Sequence, residues 1–547
     1  MSKDLNEIFN LILSFVSSLI KTPIEIFKGM KKEGIYTYLK ERMKKPSKDE
    51  ILEGNVLAVM FKLVWPMMIA TFLRTLYNLI DTFWLGNIPN PEIAEYSVTA
   101  VGQGWTVVFM MMSIEMGFGI AALALISQYT GQKNYEEADR TAGQLYFIAI
   151  VASLLIGIFG YFMTPTFMNL LTGGQEELAY YGTQYIQIIF LGLPFMFLFF
   201  AFMYTLRGWG DTITPMKITA YSVTLNMLIN PILIFGSGTV MAVGSFEVTI
   251  PTIFGYSIPR LGVRGAAIGT IMSRGIGSLY ATYMLFSGKV GLKLKLSYLK
   301  PNLSRLKDFL NIGVPAGIGR FGTSIGFVIL WAVIYRLPNP EVAGAAYSVG
   351  NRILNITFLI MGGFAMAIST MVGQALGADD EERSEEVAVK GFLAVAGLML
   401  LFTGLLFLLR NNLIMIFIPE SPEVIAEGAR FLGIFALAMP FFGIFRAVTS
   451  LLGGSGHTRL QMGLNLTRLW GLRLPFVFLF ALFLSMGSTG VWTGMAVSNV
   501  VAFILAMAVY KTGWWKEKVI KDKPTTKPSM DFDEDEPERD RTVESES

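Results

Sequence analysis

Two carboxylates fall deep inside long apolar stretches of this 547-residue chain, Asp81 and Glu115. A charge in such a setting costs about 2.5–3.5 kcal/mol on membrane-insertion scales, so each needs a reason to be there. Arg74, Asn78 and Asp81 stand at i, i+4 and i+7 and share one helical face, with Tyr77 one turn before Asp81. Asn226 and Asn230 stand four apart on a later stretch. Pro231 follows them, removing a backbone donor and freeing a carbonyl nearby. Thr270 lies among small residues that permit close packing. One carboxylate among neutral oxygens can take up Na⁺ or a proton. It is a poor site for a divalent ion, which prefers more carboxylate charge. A plainer arrangement is also open, in which Asp81 pairs with Arg74 and braces the helix.

Glu115 is followed by Met116, Gly117, Phe118 and Gly119. It offers a second protonation site or a contact for a cationic substrate, or else it lies near a helix end and touches water. Arg320, Arg352, Arg446, Arg468 and Arg473 fall in apolar stretches of the second half. Either they form a cationic wall suited to anionic or lipid-headgroup substrates, or they brace helices and snorkel to interfaces. Cys is absent and His457 is the lone histidine. Thiol catalysis, disulfides, Cys- or His-based metal clusters and a His triad are therefore excluded. No enzyme is expected, and no cofactor beyond a coupling ion, Na⁺ or H⁺.

The elements that must position these residues are membrane helices. Apolar residues make up 53% of the chain and charged residues 16%, with 55 Gly and 30 Met. Mean hydropathy is +0.53. A soluble fold of this size could not hide so much apolar surface. The expected class is an all-α polytopic membrane protein with twelve transmembrane helices. These span about 55–86, 95–131, 135–171, 177–208, 213–236, 262–286, 305–335, 341–376, 383–418, 424–455, 458–484 and 487–511. One set of connections is rich in Lys and Arg (Lys133, Arg140, Arg207, Lys217, the Lys289–Lys307 stretch, Arg383, Lys390, Arg459), and the alternating set is poor in them. That asymmetry fits an even number of spans in the cell membrane with both termini cytoplasmic.

The chain contains itself twice. VWP (64–66) matches GVP (313–315), and PNPE recurs at 89–92 and 338–341. Gln128 and Gly131 line up with Gln374 and Gly377, and Gly210 with Gly456. GVRGAAIGTIMS (262–273) lines up with GSTGVWTGMAVS (487–498). A fall in the offset before that last pair locates an insertion at 237–261, on the outer side. Two six-helix halves with the same orientation are parallel repeats about an axis along the membrane normal. Between them a cavity can open to either side. Asp81 aligns with Leu330, so the second half lacks a matching acid.

The expected division is a cytoplasmic extension 1–54, an N-lobe 55–286, a cytoplasmic linker 287–304, a C-lobe 305–511 and an acidic disordered tail 512–547. Residues 8–20 read as an interfacial amphipathic helix followed by lysines, or as an extension without function. The stretch DFDEDEPERD is too acidic to bury a core. The partners expected are membrane lipids and a small amphiphilic or cationic substrate, with no nucleic acid. No oligomerisation signal stands out, and a monomer is expected.

Five segments in order carry a resemblance. They are LVWPMMIATFLRTLYNLIDTFWLG (63–86), GFGIAALALISQYTGQKNYEEA (117–138), LRGWGDTITPM (206–216), NMLINPILIFG (226–236) and GVRGAAIGT (262–270). Over roughly residues 55–511 the chain resembles the MATE (multidrug and toxic compound extrusion) exporters, and within them the DinF-type archaeal and bacterial branch. The resemblance implies export of organic cations or other amphiphiles driven by inward Na⁺ or H⁺. It makes Asp81 the coupling residue, with Tyr77, Asn226 and Thr270 in the same network. The family often has Asn-x-x-x-Asp on helix 5, where this chain has Asn226 and Asn230. A second coupling carboxylate is missing, which leans the reading toward Na⁺. The mechanism implied is alternating access, in which an ion neutralises Asp81 and helix 1 repacks, bending above Pro66. The alternative is a flippase for lipid-linked oligosaccharide or another anionic lipid, which the second-half arginines would suit.

Overall fold

The computed structural model describes residues 44–243, 246–250 and 257–520. The amphipathic segment 8–20 and the acidic stretch 524–547 lie outside the described residues. Among the described residues, twelve long helical spans follow one another. They are α1 (Val56–Gly86), α2 (Pro91–Gly131), α3 (Tyr135–Leu171), α4 (Glu176–Leu191 continued by Leu193–Trp209), α5 (Ile213–Phe235) and α6 (Val263–Phe286). The second half supplies α7 (Leu303–Ile334), α8 (Pro340–Gly377), α9 (Glu381–Phe417), α10 (Pro422–Gly454), α11 (Thr458–Phe483) and α12 (Gly487–Lys511).

Local chemistry sets these boundaries. Asn90, Asn302 and Ser421 cap helix N-termini with their side chains, and Pro occupies the first turn of α2, α8 and α10. Gly210 ends α4 in the left-handed region, at φ +90°. Ten of the helices are long and apolar enough to cross a membrane, and α4 makes an eleventh. The remaining one, α6, is diluted by Gly, Ser, Thr, Arg264 and Arg274, and it packs between α4 and α5.

Two local features depart from the expected spans. Helix α4 is bent by 55° at Gly192. Pro194 removes a backbone donor there, and Ile271 packs where a Cβ on Gly192 would stand. The insertion after α5 carries an antiparallel hairpin, β1 (Val240–Val243) and β2 (Phe246–Thr249), with Val240 opposite Thr249. It is the one strand pair among the described residues.

The two lobes interlock through their first helices. Val56, Val59, Met60, Leu63 and Val64 of α1 lie in the core otherwise built by α7–α12. Phe309 and Ile312 of α7 lie in the core built by α2–α6. Thus α1 and α7 each begin in one lobe and continue into the other, with Pro66 and Pro315 at equivalent points along them. Helix α1 runs unbroken through Pro66.

The seam between the lobes is tightest at one end of the bundle, where α2 and α8 finish. This is the end rich in Lys and Arg. Gly117 of α2 sits against the backbone of Gly313 and Gly317 of α7, with no room for a Cβ. Gly131 abuts the carbonyl of Gln374, and Gly377 abuts that of Gln128. The Gln128 amide donates to Ser455 O at 3.1 Å, and the Gln374 amide to Gly208 O at 3.0 Å. Thr370 Oγ1 donates to Arg207 O at 3.0 Å.

Both described termini close over this basic end. Lys45 pairs with Asp211 at 3.1 Å, and Lys48 lies over the rings of Tyr135 and Trp209. Arg383 donates to the carbonyls of Ile51 and Gly54. Residues 512–520, expected to open a disordered tail, instead form a strap across the seam. Trp515 is buried, Lys516 pairs with Glu385 at 2.8 Å and Lys518 with Asp379 at 2.7 Å. The Val519 N–H donates to Gln128 Oε1 at 3.0 Å, and Ile520 enters the core built by α2–α6. The strap is held by the apolar anchors Trp515 and Ile520.

Candidate functional site

Helices α1, α5 and α6 bring one carboxylate into a polar nest inside the first lobe. Asp81 is 5% exposed. The Asn230 Nδ2 donates to its Oδ1 at 2.5 Å, and Thr270 Oγ1 donates to its Oδ2 at 3.3 Å. Tyr77 lies one turn earlier on α1. Its hydroxyl donates to Thr270 O at 3.3 Å and shares a hydrogen bond of 3.0 Å with Ser273 Oγ. Gly269 makes the nest possible, because a Cβ there would collide with Asn230 Oδ1.

Several oxygens in this nest have nothing to do. Asn230 Oδ1 is buried without a hydrogen bond, as is Asn226 Oδ1 one turn earlier. Burying unpaired acceptors is unfavourable by roughly 1–3 kcal/mol each. A carboxylate, two free amide oxygens and the Thr270 hydroxyl form a donor set for a small monovalent cation. Among the described residues, no cluster of His, Cys, Asp and Glu fits a divalent metal.

The structure redraws part of the expected face. Arg74 does not pair with Asp81; it donates to Thr71 Oγ1 at 3.2 Å and its Nε has no partner. Asn78 is exposed and takes no part in the hydrogen bonds around Asp81. Arg74 lies on the same face as Asp81 but two turns, about 10 Å, away along α1, and Asn78 is turned about 60° round the helix from it. The cation that the sequence reading missed is Arg274 of α6. It stacks over Tyr77, 4.8 Å from the ring centroid, and reaches Trp105 at 5.6 Å, and its field acts on Asp81. Its spacing of one turn from Thr270 was the available signal. A void of 40 Å³ lies beside Arg74, Tyr77 and Arg274.

Glu115 is 2% exposed and both its carboxylate oxygens lack a partner. It therefore does not touch water at a helix end. Burial follows from the glycine crossing of α2 on α7, two residues further on. Arg320 is the charge that acts on it.

A second feature lies between the lobes and against α10 and α11. It is a cavity of 510 Å³, lined by Arg320, Arg446 and Arg468 together with Phe327, Phe358 and Phe442. The five second-half arginines thus divide. Arg320, Arg446 and Arg468 face the cavity. Arg473 is the brace, donating to Ser498 Oγ at 3.3 Å and Asn499 Oδ1 at 2.7 Å. Arg352 is exposed.

The repeat relates these two features. Helices α11 and α12 are the second-half counterparts of α5 and α6, and Ser498 and Asn499 align with Ser273 and Arg274. One lobe sets a carboxylate against amides at this place. The other sets guanidinium groups against an amide.

Comparison with known proteins agrees with this architecture. The MatE family model matches residues 66–232 and 315–479, one match in each half. YpnP of Bacillus subtilis, described as a probable multidrug resistance protein, is 26% identical over 470 residues, covering 85% of this chain and 97% of that protein. The probable multidrug resistance protein NorM of Thermotoga maritima is 26% identical over 464 residues, covering 84% and 93%. An outward-facing multidrug resistance MATE transporter superposes with a TM-score of 0.73 at 23% identity, over 86% of this chain and 98% of that one. A MOP superfamily transporter from Pyrococcus furiosus superposes with a TM-score of 0.74 at 23% identity, over 87% and 100%; its binding pocket is described as of reverse polarity, suggesting a different function. With two six-helix repeats and a family match spanning both, the chain belongs to the MatE family of multidrug and toxic compound extrusion transporters.

Proposed function

We propose that this chain is a secondary active exporter that exchanges a monovalent cation for an amphiphilic small molecule by alternating access. The observation that carries the reading is the buried Asp81, held by Asn230 and Thr270 beside amide oxygens without partners. Na⁺ suits that donor set. In the ion-free nest Asn230 turns its N–H to the carboxylate. With an ion bound, its free oxygen turns to the metal. A proton at Asp81 would neutralise the same charge but would leave the amide oxygens idle.

The basic end faces the cytoplasm in this reading, since Lys and Arg accumulate there. The tight seam at that end makes the described conformation outward-facing. Ion uptake at Asp81 removes a charge beside Arg274 and frees α1 to repack. Pro66 leaves the carbonyl one turn before it without a donor, which makes a bend there inexpensive. Two solved MATE structures similar to this chain are described as bent and straight conformations. Coupling requires that ion and substrate prefer different conformations, because equal affinity for both shifts nothing.

The test is efflux from proteoliposomes of two xanthene dyes, cationic rhodamine 6G and anionic carboxyfluorescein. Na⁺ and pH gradients are imposed separately, with Asp81→Asn beside the parent. Gradient-driven efflux that disappears in the variant supports the reading and identifies the ion. Efflux indifferent to both gradients refutes it. A flippase for anionic lipid is the second reading, favoured by the three arginines of the cavity.

A further inference from the structure

Three guanidinium groups from α7, α10 and α11 converge on one cavity whose lining holds no carboxylate, and Glu115, buried nearby and reached by the field of Arg320, forms no ion pair with it. Among the described residues, Arg320, Arg446 and Arg468 form no ion pair. Arg446 makes no hydrogen bond there either. Arg468 is 5% exposed and its Nε has no partner; its Nη1 reaches Asn499 only at 3.4 Å. The fields of the three overlap, Arg320 acting on Arg446 and Arg446 on Arg468. Like charges this close in a low-dielectric setting repel, so the arrangement is unfavourable by itself. Bracing does not explain it, because Arg473 alongside shows what a brace looks like, with two partners satisfied.

We propose that this cavity is the substrate site and that it takes an amphiphile bearing an oxyanion. The class is a carboxylate, sulfonate or phosphate on an apolar body. Guanidinium forks suit planar or tetrahedral oxyanions and exclude cations. Arg446 and Arg468 grip the anion and Arg320 closes over it from α7. The apolar body lies on Phe327, Phe358 and Phe442. The cavity of 510 Å³ is of the size that holds a drug-like molecule. The inference rests on the exporter reading above and gives its substrate a sign, opposite to the organic cation that family resemblance implies. Free amphiphiles and lipid headgroups both carry this chemistry.

The experiment is equilibrium binding to the full chain in nanodiscs, using carboxyfluorescein and rhodamine 6G, which share a ring system. Carboxyfluorescein is expected to bind at least about tenfold tighter, with Arg446→Gln and Arg468→Gln each weakening it about tenfold. Arg320→Gln, whose side chain is exposed to the cavity, gives the same direction without disturbing packing. Arg410→Gln, outside the cavity, leaves binding unchanged. Equal or tighter binding of rhodamine 6G overturns the proposal, and so does carboxyfluorescein binding that is the same in every cavity variant. Displacement by dihexanoylphosphatidic acid but not by dihexanoylphosphatidylcholine upholds the site and makes the ligand a lipid. Displacement by neither, with carboxyfluorescein still bound through the arginines, upholds it for free amphiphiles. Specific anion binding that no gradient drives would end the exporter reading and leave the site. Gradient-driven rhodamine 6G efflux without anion binding would do the reverse.

Discussion

Gln128 and Gln374 are related by the internal repeat, and the main-chain carbonyl of each is covered by the glycine three residues after the other. Gly377 lies on Gln128 and Gly131 on Gln374. The two side chains then reach across to carbonyls near the ends of α10 and α4, at Ser455 and Gly208. The seal at the basic end is thus one motif used twice around a pseudo-two-fold axis.

Gly377→Val should prevent that seal from forming, because any Cβ collides with backbone that cannot yield. The loss is expected to be about 1–3 kcal/mol of closed-end stability. The chain has no native cysteine. A single Ser455→Cys therefore reports on the seam by maleimide labelling, which should be slow in the parent and fast with Gly377→Val added. Equal rates would show that the seam does not depend on this contact.

The strap 513–520 should act in the same direction. It links α9 and the turn before it on one side to Gln128 on the other. A stop codon after Thr512 is expected to raise labelling at Ser455→Cys while leaving the helical content by circular dichroism intact. A strap without influence on closure would leave labelling unchanged.

Asp81→Asn keeps the size of the side chain and removes its charge. Gradient-driven efflux should fall to the rate without a gradient. Asn230→Ala should raise the Na⁺ concentration needed for half-maximal efflux about tenfold or more, since a charge-assisted hydrogen bond and a ligand oxygen are lost together. Unaltered Na⁺ dependence in Asn230→Ala would remove that residue from the ion site.

Tyr77→Phe deletes two hydrogen bonds that tie α1 to α6, at Thr270 O and Ser273 Oγ. The ring and its contact with Arg274 remain. A loss of about 1–2 kcal/mol is expected. Thermal unfolding in detergent measures it, and a Tm equal to the parent's would mean that water replaces the hydroxyl fully.

Burial holds the imidazole of His457 below its ordinary value, at the turn before α11, where Ser455 Oγ lies 3.1 Å from its Nδ1. The unfolded chain therefore takes up this proton first as pH falls. Stability is unaffected above the unfolded value of about 6.5 and declines as pH drops from there toward the lower folded value. Tm should be lower at pH 5.5 than at pH 8, and His457→Asn should shrink the difference. An identical pH dependence in the variant would exclude this histidine as its source.

The amino-acid sequence by itself determined the span count, the helix boundaries to within a few residues and the twofold repeat. Those follow from apolar run length, Pro and Asn caps and repeated local motifs, all of which act over a few residues. It also marked Asp81, Tyr77, Asn226, Asn230 and Thr270, because buried polar groups in apolar helices stand out one by one. Only the tertiary structure decided which of them meet. Arg74 and Asn78 share a face with Asp81 on paper, yet Arg74 lies two turns away along α1 and Asn78 is exposed, while α6 brings Arg274 instead. The division of the arginines into a brace at Arg473 and a cavity at Arg320, Arg446 and Arg468 was equally hidden. Every arginine in an apolar helix looks alike until the packing of three different helices settles which guanidinium finds a partner and which is left facing open space.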